Sequence, residues 1–323
     1  MVLYPLTANF LQIGDVSSLH LLTASTSLQN QAKVFLIACR VNGLSPNTLK
    51  GYAYMLNRFL SFCLELKVHD VKKFTKNDAR LFILRLQETN QAVSVGDYYR
   101  CVHRFFNWLV EEGVLKENPV SRARPPRVPQ KVIVPFTPPQ IQVLLSLCPT
   151  NTFLGTRNRA IILSFLDTGL RLSELAGIQL RDIDFDKETI KVKGKGAKER
   201  FVRIGKTTQK ALLRYLLLRQ DSHPCLWVTE ERRPITAEGI AQVIKKTLKA
   251  QANLQGVRCS PHTFRHTFGT QALRNKADIR EVQSLLGHST LRTTLRYVAT
   301  VNSEDAVESH RQFSPVDNLK GIK

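Results

Sequence analysis

Acidic residues are scarce in this chain of 323 residues, where 26 Asp plus Glu face 47 Lys plus Arg, a formal net charge of +21 at pH 7. Solubility alone does not call for an excess of this size; a polyanionic partner does, and nucleic acid is the leading one. Residues 1–130 carry 16 basic and 9 acidic groups and residues 131–323 carry 31 and 17, with no concentrated basic run. The charge is therefore spread over folded surfaces that can surround a duplex, which excludes a single basic tail as its source. Cysteine is sparse as well. The six, Cys39, Cys63, Cys101, Cys148, Cys225 and Cys259, stand far apart with no C-x-x-C pair. That spacing excludes a zinc module and fits small buried hydrophobes in a reducing compartment.

Other absences narrow the class further. No Walker-type glycine loop is present, and no run reaches the ~18 apolar residues of a membrane span. The first residues lack a basic-then-apolar leader, so the expected location is the cytoplasm, with no membrane partner. The alternating Asp182, Asp184, Asp186 and Glu188 fail as a calcium loop, because Lys187 stands where glycine is needed and Lys193 where the closing glutamate should be. They read as the solvent face of strands, and no metal is expected.

What is present organises the chain into two parts. Residues 1–27 show no sustained period and form a partly ordered lead-in. Helices are predicted over 28–40, from Ser45-Pro46 through Leu64, over 75–87 and over 94–112. Ser45 caps a helix with proline at its first position, and Thr75 with Asp78 three residues on forms a capping pair. In the fourth helix Tyr98, Val102, Phe105, Phe106 and Leu109 recur at helical spacing. Residues 116–139 then hold seven prolines and five Lys or Arg. We assign 116–136 as an extended linker whose Arg122, Arg124, Arg127 and Lys131 either follow a phosphate backbone or are simply solvated.

The second part, 137–300, is mostly helical with one small antiparallel sheet. Period-two stretches at 183–185, 189–193 and 200–204 form the sheet, and Gly194-Lys195-Gly196 turns between the last two. Helices are predicted over 137–148, 155–167, 172–177, 207–219, 236–250, 261–275, 278–286 and 291–299. The fold class is mainly α, and residues 301–323 form a tail.

Several side chains carry chemistry. Arg171 and Glu174 are three apart on one helical turn, so the carboxylate can aim the guanidinium; a surface ion pair accounts for the spacing equally well. Lys195, between two glycines and near Lys193, Lys198 and Arg200, sits at a turn tip, able to reach a groove and donate a proton, or merely solvated. His262 and Arg265 repeat the three-residue spacing just after Ser260-Pro261, so both emerge from a helix N-terminus that favours an anion. His266 points elsewhere and reads as a structural hydrogen-bonder. His288 follows the helix-ending Gly287, and Tyr297 lies in the next helix. A phenol with pKa ~10 is a poor nucleophile until cations stabilise its oxyanion.

In order, Thr168–Glu174, Val192–Arg200, His262–His266, Leu285–Ser289 and Thr293–Tyr297 resemble the motifs of the tyrosine site-specific recombinases, most closely the Xer-type and mobile-element members. The resemblance spans about residues 28–300 and implies a SAM-like core-binding domain over 28–115 and a catalytic domain over 137–300. It implies that Arg171, His262, Arg265 and His288 hold the scissile phosphate, that Tyr297 attacks it to give a 3′-phosphotyrosyl link, and that Lys195 protonates the leaving 5′ oxygen. Glu174 would support Arg171, while Lys193, Lys198 and Arg200 would join the linker cations on DNA. Neither ATP, metal nor another cofactor is implied. The implied partners are a double-stranded recombination site and further protomers, four in all, of this chain alone or with a related recombinase. The tail from Val301 would dock on a neighbouring protomer or simply fray. The lead-in is too short for the arm-binding domain of many phage integrases. A type IB topoisomerase and a silent DNA-binding protein are the alternatives.

Overall fold

The computed structural model describes residues 25–125, 133–194, 199–249, 254, 257–288 and 290–298. Most of the lead-in, the tail 301–323, and the cations Arg127, Lys131, Lys195 and Lys198 lie outside the described residues, as does most of the turn at 194–196. The chain divides into two compact units, residues 1–130 and 131–323.

The first unit is a four-helix bundle: α1 Leu28–Val41, α2 Pro46–Glu65, α3 Lys76–Thr89 and α4 Ala92–Glu111. The starts follow local chemistry. The Ser45 side chain accepts the Thr48 amide at 3.2 Å, and Thr75 and Asp78 exchange side-chain-to-backbone bonds as a capping box. Phe35, Phe59, Phe105 and Phe106 fill the centre, with Phe59 edge-on to Phe106 at 5.9 Å. Not every apolar residue faces inward. Tyr54, Leu64, Leu81 and Leu84 are exposed, because Leu56, Phe59, Leu60 and Cys63 on α2, and Ala79, Phe82, Ile83 and Leu86 on α3, already make up the buried stripes. The proline-rich stretch is less free than its composition suggests. Val120 and Ala123 are buried in this first core.

The second unit contains α5 Pro138–Ser146, α6 Phe153–Thr168, α7 Leu172–Ala176, α8 Lys206–Arg219, α9 Ala237–Lys249, α10 Pro261–Arg274, α11 Ile279–Leu286 and α12 Leu291–Val298. Its sheet, β1 Ile183–Asp184, β2 Thr189–Lys193 and β3 Glu199–Arg203, is antiparallel in the order β1-β2-β3. The register pairs Ile190 with Val202 and Val192 with Arg200. Alternation therefore puts Arg200 on the same face as the buried Ile190, Val192 and Val202, and Phe201 outside. Phe136, at the end of the assigned linker, is buried against Phe264, which in turn stacks on Phe165. Trp227 anchors α7 by donating its indole N–H to the Leu175 carbonyl at 2.9 Å. The acidic stretch before β2 is spent on surface ion pairs, Asp184 with Lys187 and Glu188 with Arg203.

Candidate active site

Two left-handed glycines set the frame. Gly169 (φ +60°) ends α6 and turns the chain so that Arg171 caps α7; Gly287 (φ +62°) ends α11 and delivers His288. Both positions disfavour a side chain. A Cβ on Gly169 would meet Phe268 at 2.5 Å and Leu286 at 2.7 Å, and one on Gly287 would stand 3.2 Å from the Arg200 guanidinium.

Three arginines from separate elements converge on the last carbonyls of α11. Arg200 Nε donates to Leu285 O at 3.0 Å, Arg265 Nη2 to Leu286 O at 2.6 Å, and Arg171 Nη2 to Gly287 O at 2.9 Å. These carbonyls have no partner inside the helix and carry the negative end of its dipole, so cations are favoured there. Arg265 also donates to Gly169 O at 2.8 Å and thereby ties the two glycine turns together.

Glu174 neutralises part of this charge. Its carboxylate is buried and accepts Arg171 Nη1 at 2.7 Å, the Arg171 amide at 2.8 Å, and both Nη groups of Arg200 at 2.9 Å. Burial opposes its ionisation, but the bonds from Arg200 and Arg171 outweigh that and bring its pKa to about 2. Arg265 is also buried, and its pKa is lowered by burial and by Arg171, with the Tyr297 phenol among its hydrogen-bonding neighbours.

Tyr297 is 3% exposed. Its ring rests on Gly269, where a Cβ would come within 3.1 Å, meets His266 edge-on at 4.8 Å, and stacks on His288 at 5.9 Å and 11°. Thr294, fully buried, bonds His288 Nδ1 at 2.9 Å, so with the threonine donating, Nε2 carries the proton. Burial, then the charges of Arg265, Arg171 and Arg200, push the His288 pKa down to about 4. It is therefore a neutral hydrogen-bonder at pH 7 in the DNA-free protein, not a cation. His266 is likewise lowered to about 4 by burial and by His262. Its Nδ1 bonds Thr270 at 3.3 Å, as a structural role requires, but its ring also packs on Tyr297. His262 is exposed on the first turn of α10, which Ser260 caps by accepting the Thr263 amide at 3.3 Å.

The site thus brings Arg171, Glu174, Arg265, His288 and Tyr297 together, with His262 at its edge. Of the expected DNA-contacting residues, Arg122, Arg124 and Lys193 are exposed. Arg200 is not among them: its side chain is only 17% exposed and turned onto Glu174 and Leu285. Its parity with Val202 and Ile204 was the available sign. The supporting hydroxyl of Thr294 left no sign beyond a three-residue offset from Tyr297. All six cysteines are free thiols; Cys39, Cys63, Cys101 and Cys148 are buried, and burial raises Cys101 to about 12 and Cys148 to about 11. Among the described residues no helix is long and apolar enough to cross a membrane.

Comparison with known proteins gives this geometry a context. Residues 135–304 match the phage integrase family, and residues 33–115 match the phage integrase N-terminal SAM-like domain. Tyrosine recombinase XerC of Anoxybacillus flavithermus is 32% identical over 262 residues, 78% of this chain and 87% of that protein. Tyrosine recombinase XerD of Listeria monocytogenes is 31% identical over 295 residues, 87% and 96%. Among solved structures, the Tn1549 transposon integrase in complex with circular intermediate DNA matches with a TM-score of 0.72 at 21% identity, covering 90% of this chain and 100% of that one. XerH bound to a palindromic difH substrate matches at 0.70 and 19%, covering 91% and 86%.

Proposed function

The chain belongs to the phage integrase family of tyrosine recombinases, and from that premise we propose that it recombines DNA with Tyr297 as nucleophile and Arg171, His262, Arg265 and His288 around the scissile phosphate. The observation that carries this reading is the convergence of two guanidinium groups, a neutral imidazole and a phenol on the Leu286–Gly287 turn. Arg171 and Arg265 each spend part of their N–H fork on carbonyls and keep the rest for phosphate oxygens, which gain negative charge in the pentacoordinate transition state. With Thr294 donating to its Nδ1, His288 carries its proton on Nε2 and donates a further hydrogen bond. The Tyr297 phenol gives up its proton to solvent as its oxygen bonds to phosphorus and the bond to the 5′ oxygen breaks, and Lys195 protonates that leaving oxygen and regains a proton from solvent. Energy conserved in the phosphotyrosyl link lets a 5′ hydroxyl of another strand reverse the step, with no call on ATP or metal.

In this reading residues 28–115 and 137–300 are the core-binding and catalytic domains, and Arg122, Arg124, Arg127, Lys131, Lys193 and Lys198 contact the DNA backbone. Four protomers act on two sites in the cytoplasm. A suicide substrate nicked beside the crossover tests the chemistry. The wild type should be trapped as a covalent adduct that is absent in Tyr297→Phe, and strand exchange between two sites should distinguish recombination from relaxation. An adduct formed by Tyr297→Phe would sink the assignment.

A further inference from the structure

Resting on that reading of the site, we infer that Arg200 is a positioning residue for strand cleavage: it holds the Glu174 carboxylate that aims Arg171 and pins the end of α11 from which His288 emerges. Three features carry this. First, the guanidinium makes a fork-to-fork pair with Glu174, Nη1 to Oε1 and Nη2 to Oε2, both at 2.9 Å. Glu174 Oε1 is shared with Arg171 Nη1, and Oε2 with the Arg171 amide. The carboxylate is thus fixed in rotation by Arg200 on one side and presents a fixed edge to Arg171 on the other. Arg171 itself is 40% exposed, and among the described residues its fork is anchored by Glu174 and Gly287 O, so the orientation of Glu174 sets its aim.

Second, Arg200 Nε reaches Leu285 O at 3.0 Å, one residue from the carbonyl held by Arg265 and two from that held by Arg171. A single side chain therefore touches both the support of Arg171 and the turn that carries His288. Third, Gly287 leaves room for it: the guanidinium lies against the glycine so closely that a Cβ there would be 3.2 Å from Cζ and Nη1 and 3.3 Å from Nε. A surface phosphate contact has no need of that fit. Lysine cannot replace this arrangement, because a point charge supplies neither the two-pronged pair nor the Nε bond.

The alternative for a cation on β3 is a direct DNA contact, and the two roles predict opposite results. DNA affinity, its salt slope and single-turnover cleavage at saturating DNA are measured for the full-length wild type, Arg200→Ala, Arg200→Lys, Glu174→Gln and the Arg200→Ala/Glu174→Gln pair. A positioning role leaves affinity and salt slope of both Arg200 variants near wild type, while cleavage falls about 100-fold in Arg200→Ala, the scale expected of an ångström-sized misplacement. Arg200→Lys stays well below wild type, and the double variant cleaves no worse than the poorer single one. A DNA contact predicts instead a loss of affinity with a shallower salt slope in Arg200→Ala and restoration of both binding and cleavage by lysine; that outcome overturns the proposal. Should Arg200→Ala not fold, as judged by its melting curve, Arg200→Lys decides between the two. A wild type that forms no Tyr297 adduct would instead sink the nucleophile reading, an outcome distinct from normal cleavage by the Arg200 variants.

Discussion

In the proposed reading Arg171 joins the protein frame to the scissile phosphate, and this separates binding from chemistry. DNA affinity is shared among many cations, so Arg171→Ala should keep most of it yet lose cleavage by on the order of 1,000-fold, because its interaction strengthens only in the transition state. Filter binding beside single-turnover cleavage checks this; equal losses in both would argue against the role. The two buried imidazoles make a different prediction. His266 and His288 have folded pKa values of about 4 against an ordinary 6.5. Above pH 6.5 both folded and unfolded chains hold them neutral. As pH falls from 6.5 toward 4 the unfolded chain takes up protons that the folded one refuses, so stability is lost across that window. Melting temperature should therefore decline from pH 6.5 downward, with Glu174, whose folded pKa is about 2 against an ordinary 4.5, adding to the loss only below about pH 4.5. His266→Gln should flatten part of the decline; an unchanged slope would count against the buried neutral state.

At the scale of elements, the site is built from helix ends. The caps at Ser260 and Arg171 open α10 and α7, and the left-handed glycines at 169 and 287 close α6 and α11. Both glycines face a backbone penalty of about 1–2 kcal/mol on substitution by an L residue. The clash differs between them. Gly169→Ala drives a Cβ into Phe268 and Leu286, whereas Gly287→Ala presses on the movable end of Arg200. Gly169→Ala should be the more destabilising in urea titration, while Gly287→Ala should fold and yet cleave poorly, since Arg200 and His288 both shift. Equal stability loss with normal cleavage in Gly287→Ala would show that the turn is not part of the catalytic frame. Sheet alternation acts at this scale too, because it is strand parity that sends Arg200 inward and Phe201 outward.

For the whole molecule, the dominant quantity is the net charge of +21, distributed over both units. Release of counterions from DNA should make affinity fall by ~1,000-fold or more between about 50 and 200 mM salt, with a slope that single substitutions such as Arg122→Ala reduce by about one. A flat salt dependence in equilibrium binding would exclude an extended phosphate contact surface. Each unit also has its own apolar core, Phe35, Phe59 and Phe106 in one and Phe165, Trp227 and Phe264 in the other.

The mainly helical architecture, the small sheet and most helix boundaries were legible in the sequence, because caps, apolar period and turn glycines act over a few residues and leave their mark locally. The candidate site was partly legible for the same reason: Arg171 with Glu174, and His262 with Arg265, sit one helical turn apart. The remainder depended on contacts between residues far apart in the chain. That Leu285, Leu286 and Gly287 carbonyls collect three arginines from positions 171, 200 and 265 is a matter of backbone groups, which are alike at every residue and carry no sequence signature. That His288 is neutral follows from burial and neighbouring charge, and neither is visible before the chain folds. The sequence by itself determined which elements form and which side chains are chemically equipped; tertiary packing alone decided which of those cations face outward and which, like Arg200, are turned inward to hold the others in place.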